Sequence, residues 1–345
     1  MKKIDFTTLR EAEKFAKKKV FWKKFDWLQS GAEDNYTLKK NFDDLEKIKI
    51  LPKHLSKIKK INLNFNFFGK KIKSPLILAP MGHQTQFHRK GEIETAKGAI
   101  DANIINFFGT QGRMKLSDVI NNNKSSSLTG WVVFPFGERK WILNQIKNAE
   151  KNKCIAIGIC IDANTRSHRY SDREARYDAR KYGNRTNPIS PNPKYSLNYD
   201  WSLISYIKKN TKLPVIPKGI LTVDDCKNAL RYGADGIWIS NHGGRMFNSG
   251  ITPVEAIINI KKKINLKNKI IIIDGGVRKG SDVIKYLCLG ANFVAVGRPA
   301  IHGLICDGSR GVQKVFTILK DELETAMING GFKDKNSFKK NRLLT

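Results

Sequence analysis

Eight short apolar runs alternate along the chain with segments of helical periodicity, and this alternation restricts the fold more than any other feature. The runs lie at 76–79, 104–108, 131–134, 154–161, 215–216, 236–239, 270–273 and 293–296. Segments of helical periodicity lie between most of them, at 91–102, 140–151, 223–232, 253–264 and 281–289. Eight alternating β and α units predict a (β/α)8 TIM barrel, an α/β fold whose functional groups lie at the carboxyl ends of the strands. A doubly wound open sheet is the alternative, but it does not explain the polar residues after nearly every run.

The segment before the first run predicts a helical N-terminal region. Residues 4–30 carry apolar side chains at helical spacing, and 62–71 alternates apolar residues with Asn, as a hairpin or a strand at the bottom of a barrel does. We therefore expect one domain over 1–345, in which 1–70 is a helical and lead-in segment. Residues 171–200 predict a long polar loop after the fourth strand, and the basic tail from Phe332 is expected to be partly disordered.

Charge and cysteine content narrow the classes of function. The chain has 63 Lys and Arg against 31 Asp and Glu, a formal charge of +32. Because the lysines are scattered and no basic stripe is interleaved with aromatic residues, they indicate a solvated surface and not a nucleic-acid site. No apolar run approaches transmembrane length, and the polar loop argues against membrane insertion. Five cysteines without a CxxC pair, and no secretory signal, indicate reduced buried thiols in a cytoplasmic protein without a metal site.

The sixth run ends in residues that suit acid–base chemistry and anion binding, in the sequence SNHGGR at 240–245. His242 is a candidate base because an imidazole exchanges a proton near neutral pH. Arg245 is a candidate clamp for a carboxylate because its planar guanidinium pairs with two oxygens at once. The two glycines allow a ligand to approach the backbone closely. Taken alone, the same stretch also fits a surface loop.

The last two runs are followed by glycines and arginines, in DGGVR at 274–278 and GRP at 297–299. Phosphate sites in these barrels form from the loops after the last two strands. Glycine amides together with Arg278 and Arg298 suit a dianionic phosphate. The chain has no GxGxxG after its first run and no Walker motif, which argues against a nicotinamide or ATP site.

The sequences SNHGGR (240–245) and DGGVRKGSDVIKYLCLGANFVAVGRP (274–299) resemble the FMN-dependent 2-hydroxy-acid oxidising family. This family includes glycolate oxidase, lactate oxidase, mandelate dehydrogenase and the flavin domain of yeast lactate dehydrogenase. The similarity extends from about Gly31 to Gly330. It implies that FMN is the cofactor, that a small L-2-hydroxy acid such as lactate is oxidised to its 2-oxo acid, and that O2 or another acceptor takes the electrons. It also implies a homo-oligomer, commonly a tetramer.

The resemblance also implies a role for each strand end. His242 would remove a proton with Asp162 behind its imidazole, and two electrons would pass to the flavin, with Lys218 stabilising the reduced ring. Arg245, with Arg169, would hold the substrate carboxylate. The cofactor-binding residues would be Pro80, Met81, Gly82, Lys218, Ser240, Asp274, Gly275, Gly276, Arg278, Gly297 and Arg298. Considered from the residues alone, Asp162 also suits a cap and Arg169, in an arginine-rich stretch, a solvated role.

Several positions depart from the family pattern, and two of them concern the substrate. Trp27 and Phe134 stand where the family has tyrosines that contact the substrate. Further departures are Val132 for a glutamine facing the flavin, Gly109 for a serine and Cys160 for a threonine. The pocket should therefore be more apolar, so that longer or aromatic 2-hydroxy acids react faster than glycolate. The alternatives are an FMN barrel that acts on a different substrate and a flavin-binding protein with weak catalysis.

Overall fold

The computed structural model describes residues 5–124, 126–183 and 199–344, and its centre is a closed barrel of eight parallel strands. The strands are β1 (Leu76–Leu78), β2 (Ile105–Gly109), β3 (Thr129–Val133), β4 (Ile157–Cys160), β5 (Val215–Ile220), β6 (Gly236–Ile239), β7 (Ile270–Asp274) and β8 (Phe293–Val296). Each strand pairs with the next one along the chain, and β8 pairs with β1. The predicted (β/α)8 barrel is confirmed.

Helices cover the outside of the barrel and its N-terminal lead-in. They are α1 (Leu9–Lys19), α2 (Trp22–Gln29), α3 (Tyr36–Lys47), α4 (Gly91–Asp101), α5 (Leu116–Asn123), α6 (Arg139–Lys151), α7 (Tyr170–Glu174), α8 (Ser202–Lys209), α9 (Val223–Arg231), α10 (Pro253–Lys263), α11 (Gly280–Cys288) and α12 (Arg298–Gly330). The single periodic segment read at 4–30 is two helices, because Val20 is extended between them. Thr252 begins α10 with a capping box to Glu255, a signal that was readable in the sequence.

A hairpin closes the N-terminal end of the barrel, as its alternating pattern predicted. Phe65–Phe67 pairs antiparallel with Lys70–Ile72. The ring of Phe67 packs edge-on against Phe107 of β2 and Phe293 of β8, so the hairpin seals the barrel with aromatic side chains. The opposite, carboxyl end of the strands is therefore the open end.

The C-terminal tail is packed, and the expectation of partial disorder from Phe332 is wrong for residues 332–344. Phe332 is fully buried and stacks on Phe338 at 5.5 Å between ring centroids. Leu343–Leu344 pairs antiparallel with Lys49–Ile50 of the lead-in segment. Apolar contacts and a short antiparallel pairing thus order a segment that its basic composition alone predicted to be partly disordered.

The long connection after β4 is only partly irregular where it is described. It contains α7 and a short 3-10 helix, Ala179–Tyr182. Of the loop predicted at 171–200, residues 184–198 lie outside the described part of the chain. In the described residues, no helix combines the length and the apolar character that crossing a bilayer requires.

Candidate active site

His242 and Asp162 form a hydrogen-bonded pair at the open end of the barrel. Asp162 follows β4, and His242 follows β6 in a 3-10 turn, His242–Gly244, capped by the side chain of Asn241. The distance from His242 Nδ1 to Asp162 Oδ1 is 3.0 Å. Burial acts to raise the pKa of Asp162, but the charges of His242 and Lys218 outweigh it and hold that pKa well below its usual range. Asp162 is therefore a carboxylate that orients His242 and can stabilise its protonated form.

Cys160 adds a third group to this pair. Its Sγ donates a hydrogen bond to Asp162 Oδ1 over 3.1 Å, and burial, followed by the charge of Asp162, raises the pKa of the thiol. The sulfur, carboxylate and imidazole ligand atoms lie within 4.8 Å of one another, a set that could hold a metal ion. Both hydrogen bonds go to Asp162 Oδ1, while Oδ2 is buried without a partner among the described residues, and the nearby ammonium of Lys218 disfavours a further cation. We therefore assign the cluster to proton handling.

Lys218 lies in a buried polar network at the ends of β5, β6 and β7. Its Nζ donates to Ser240 Oγ over 2.9 Å, and Ser240 Oγ donates to Asp274 Oδ1 over 2.8 Å. Trp238 Nε1 donates to the other carboxylate oxygen of Asp274, also at 2.8 Å. Burial acts to lower the pKa of Lys218, but Asp274 and Asp162 raise it above its usual value. The network thus holds a fixed positive charge inside the barrel mouth.

Arg245 and Arg169 flank the ring of Trp27. Their guanidinium carbons lie 4.8 Å and 5.7 Å from its centroid. Arg245 Nη1 donates to the carbonyls of Trp27, Leu28 and Ser30, which fixes the end of α2 against the barrel. Arg169 forms a salt bridge with Asp172, with 3.0 Å between Nε and Oδ2. Burial, followed by the charges of Arg169 and Arg298, lowers the pKa of Arg245, so the pocket favours an incoming anion.

Phe134 forms an apolar wall on the other side of His242. The two ring centroids are 6.0 Å apart. The backbone N–H of Phe134 donates to Thr110 Oγ1 over 3.1 Å, which fixes the residue after β3. A methyl group placed on Gly109 would approach Val132 and the Phe134 ring, so β2 and β3 pack closely at this end. Trp27 and Phe134, the two residues predicted to stand in place of tyrosines, thus lie against Arg245 and His242, respectively.

The ends of β7 and β8 present an anion-binding surface. Gly275 and Gly276 have φ of 112° and 77°, and α12 begins with Arg298 directly after Gly297. Burial, followed by the charge of Arg278, lowers the pKa of Arg298 to about 9. The guanidinium groups of Arg278, which is part-buried, and Arg298, which is buried, lie close enough to repel each other. These two positive charges suit a phosphate dianion, such as the one that FMN would supply.

The two arginines differ in their present partners. Arg298 Nε donates to Leu28 O at 3.0 Å, and its Nη2 donates to Ser30 O and Gly243 O at 3.2 and 3.1 Å. Arg278 donates only to the adjacent carbonyl of Val277 among the described residues, and its guanidinium lies 4.9 Å from the ring of Phe42. Arg278 is therefore the more available of the two for a phosphate.

Pro80, Met81 and Gly82 follow β1 beside this surface. A Cβ on Gly297 would lie 3.1 Å from Met81 Sδ, which places the ends of β1 and β8 in contact. A Cβ on Gly82 would lie 3.0 Å from the Cβ of Gln111, so this turn approaches the loop after β2. The structure thus brings the predicted cofactor residues to one end of the barrel.

Three residues near these groups were not predicted from the sequence. Trp238 was read as core because it lies within an apolar run, and its hydrogen bond to Asp274 has no sequence signal. Asp172 pairs with Arg169, and their spacing of three residues in an arginine-rich stretch could have indicated it. His83, which directly follows Gly82, lies 5.4 Å from Trp27 between ring centroids.

Gly219 gives Asp162 the room it occupies. Its φ is 117°, and a Cβ there would lie 2.6 Å from the Cβ of Asp162. Gly219→Ala is expected to displace Asp162 and slow the reaction, in addition to about 1–2 kcal/mol of backbone strain. Gly233→Ala is the matched control, since φ is 94° there and the nearest atom to a new Cβ is 3.7 Å away. Turnover and Tm of both variants test this, and equal turnover in the two would contradict it.

Comparison with known proteins gives the same picture over nearly the whole chain. A family model described as FMN-dependent dehydrogenase matches residues 16–345. An L-lactate oxidase of Lentilactobacillus hilgardii is 32% identical over 360 residues, covering 99% of this chain and 95% of the relative. A 2-hydroxyacid oxidase of Dictyostelium discoideum is 30% identical over 338 residues, covering 93% and 86%. A solved structure of mandelate oxidase superposes with a TM-score of 0.91 at 26% identity, covering 99% of this chain and 98% of that one.

Proposed function

The chain belongs to the FMN-dependent dehydrogenase family, and on that premise we propose that it oxidises an L-2-hydroxy acid to the 2-oxo acid. The observation that carries the proposal is the pair of His242 and Asp162, whose Nδ1 and Oδ1 atoms are 3.0 Å apart, at the same end of the barrel as the part-buried guanidinium of Arg245. A base and a carboxylate clamp are the two groups that removal of hydrogen from a 2-hydroxy acid requires.

His242 provides the proton acceptor. Since its Nδ1 is bonded to Asp162, Nε2 is the atom that takes a proton from the substrate. The Asp162 carboxylate then faces an imidazolium, and that attraction favours the protonated state in the transition state. This assignment holds whether the C–H bond is broken as a proton or as a hydride, because a base at Nε2 serves the O–H or the C–H proton equally.

Arg245 and Arg169 hold the substrate carboxylate, and Lys218 holds a fixed positive charge. The two guanidinium groups with Asp172 leave one positive charge uncompensated, which suits a monocarboxylate. Bound FMN supplies a two-electron acceptor whose reduced form carries negative charge. The Lys218 ammonium, anchored by Ser240 and Asp274, would stabilise that negative charge electrostatically.

The apolar walls select the side chain of the substrate. Trp27 is buried beside Arg245, and Phe134 lies beside His242, where a smaller and more polar substrate would find no hydroxyl partner. We expect glycolate to reduce the flavin more slowly than 2-hydroxyisocaproate or mandelate, because apolar walls reward apolar side chains. Stopped-flow flavin reduction with glycolate, lactate, 2-hydroxyisocaproate and mandelate tests this order, and a clear preference for glycolate would contradict it.

A different substrate for the same barrel is the second candidate, and the aromatic side chains of Trp27 and Phe134 favour it. If no acid of the panel reduces the flavin while FMN is bound, this candidate replaces the first. A flavin-binding protein with weak catalysis is less well supported, because such a protein has no use for the hydrogen-bonded pair of His242 and Asp162.

We also propose where the protein is located, how it assembles and what accepts its electrons. We infer a cytoplasmic protein, supported by five free, buried cysteines, which suit a reducing compartment. We infer a homo-oligomer, a tetramer by family resemblance, supported by the exposed rings of Phe21, Trp22 and Phe247. The electron acceptor that reoxidises the protein is O2 or another molecule, and turnover with and without O2 distinguishes these.

A further inference from the structure

His83 occupies an unusual backbone position beside the pocket. It follows the turn of Pro80, Met81 and Gly82, and its φ of 60° and ψ of 27° lie in the left-handed region. A non-glycine residue in this region costs energy and is retained where the surrounding structure fixes it, often at ligand sites. The side chain of Gln84 fixes the turn by donating to Met81 O over 2.9 Å and accepting from Thr95 at 2.6 Å.

The imidazole of His83 faces the same groups that would hold the substrate carboxylate. Its ring lies 5.4 Å from that of Trp27, which Arg245 and Arg169 flank at 4.8 and 5.7 Å. Within 5–124, 126–183 and 199–344, no group hydrogen bonds to either ring nitrogen of His83, and both nitrogens keep some exposure to solvent, with Nε2 beside Gly183. An imidazole with free nitrogens beside two arginines has donor capacity that the protein itself does not use.

Burial, and after it the charges around His83, set the protonation state of this ring. Burial lowers the pKa of His83 to about 4, and the charges of Arg245, Arg169 and Arg166 contribute while Asp178 opposes them. At neutral pH the ring is therefore an uncharged donor that adds no repulsion to the arginine pair. A bound carboxylate would offset those positive charges and raise the pKa again.

We propose that His83 is a substrate-binding residue that donates a hydrogen bond to the substrate carboxylate beside Arg245 and Trp27. This inference rests on the proposed function, since it assumes that a carboxylate occupies this pocket. The N–H of His83 provides a hydrogen bond in place of the hydroxyl groups that Trp27 and Phe134 lack. His83 thus makes the pocket selective for a carboxylate while its other walls remain apolar.

The main test is the affinity of the FMN-loaded protein for 2-oxoisocaproate, a non-reducing carboxylate, measured by calorimetry. His83→Gly keeps the left-handed backbone and removes the ring, and we expect Kd to rise about 10-fold to 100-fold, as for a lost hydrogen bond to a charged group. His83→Gln keeps an N–H donor and should recover part of the affinity. An unchanged Kd in His83→Gly, with the Tm of the wild type, would overturn the proposal.

Gly183 offers an indirect test that leaves His83 in place. A Cβ on Gly183 would lie 2.9 Å from His83 Nε2, whereas its φ of −89° and ψ of −173° suit alanine. Gly183→Ala should therefore weaken 2-oxoisocaproate binding in the wild type and have no further effect in His83→Gly. Equal weakening in both backgrounds would show that Gly183 acts without His83 and would count against the proposal.

Proton uptake on binding and the kinetics of turnover distinguish a role of His83 in substrate binding from a purely structural role. At pH 5, calorimetry in buffers of different ionisation enthalpy should show that 2-oxoisocaproate binding takes up a proton in the wild type but not in His83→Gln. In turnover, His83→Gly should raise KM with little change in kcat. If the wild type binds 2-oxoisocaproate with His83-dependent affinity yet no 2-hydroxy acid reduces the flavin, the proposed reaction fails and the binding role stands. Uptake that persists in His83→Gln would contradict the role of His83.

Discussion

Replacement of His242 by alanine is expected to lower the rate of flavin reduction by about a hundredfold to ten-thousandfold, the usual cost of losing a general base. The variant loses the only atom in the account that accepts the substrate proton, His242 Nε2. FMN content should not change, because the phosphate-binding residues follow β7 and β8 and keep their contacts. Anaerobic stopped-flow absorbance gives the rate, and quantification of the cofactor released by denaturation gives the occupancy.

Two further variants complete this experiment. His54→Ala removes an exposed imidazole of the lead-in segment and should react at the wild-type rate. Asp162→Asn keeps the size of the side chain but removes the charge that stabilises a protonated His242, so it should also slow reduction. A wild-type rate in His242→Ala would contradict the assignment of the base, and a wild-type rate in Asp162→Asn would contradict the orienting role.

Replacement of Arg278 by alanine is expected to weaken FMN binding by about 10-fold to 100-fold, the cost of a lost charge-assisted hydrogen bond to phosphate. The guanidinium is part-buried and has no acidic side chain bonded to it in the described residues. Fluorescence titration of the apoprotein with FMN measures the affinity. Lys279→Ala removes one positive charge from the adjacent exposed position and should bind FMN as the wild type does.

Arg298→Ala should behave differently, because Arg298 donates to three backbone carbonyls from two separate segments. Arg245 still donates to Leu28 O and Ser30 O, but Gly243 O loses its donor, so the variant should lower the Tm of the apoprotein as well as the affinity for FMN. Arg278→Ala should leave the Tm of the apoprotein close to that of the wild type. FMN affinity unaffected by Arg278→Ala would contradict the phosphate assignment.

The sequence was sufficient for the barrel because each strand carries its own signal. A buried parallel strand needs an unbroken apolar run, and the eight runs correspond to the eight strands, although the run at 154–161 yields only Ile157–Cys160. The last two strand ends were recognisable because a phosphate requires glycine amides and positive charge close together in sequence. The family, the FMN cofactor and the reaction type are confirmed by the comparisons.

Contacts between distant segments could not be inferred in this way. Arg298 was predicted to bind phosphate, but its bond to Leu28 O joins residues 270 positions apart and has no local signature. The bond from Trp238 to Asp274 likewise depends on the register of β6 beside β7. The role proposed for His83 could not be predicted from the sequence, because it depends on the φ of this residue and on the side chains around it. The tail from Phe332 was misjudged because its basic residues conceal the apolar contacts that hold it. The roles of the individual site residues stay predictions.

The most direct test of FMN-dependent 2-hydroxy-acid oxidation is an anaerobic titration of the purified protein with L-2-hydroxyisocaproate, followed by the visible flavin absorbance. We expect the flavin band to bleach in proportion to the acid added and one molecule of 2-oxo acid to form per FMN reduced. The D enantiomer should leave the band unchanged. A band that stays unchanged with this acid, lactate, mandelate and glycolate, or a purified protein that takes up no FMN, would contradict the account.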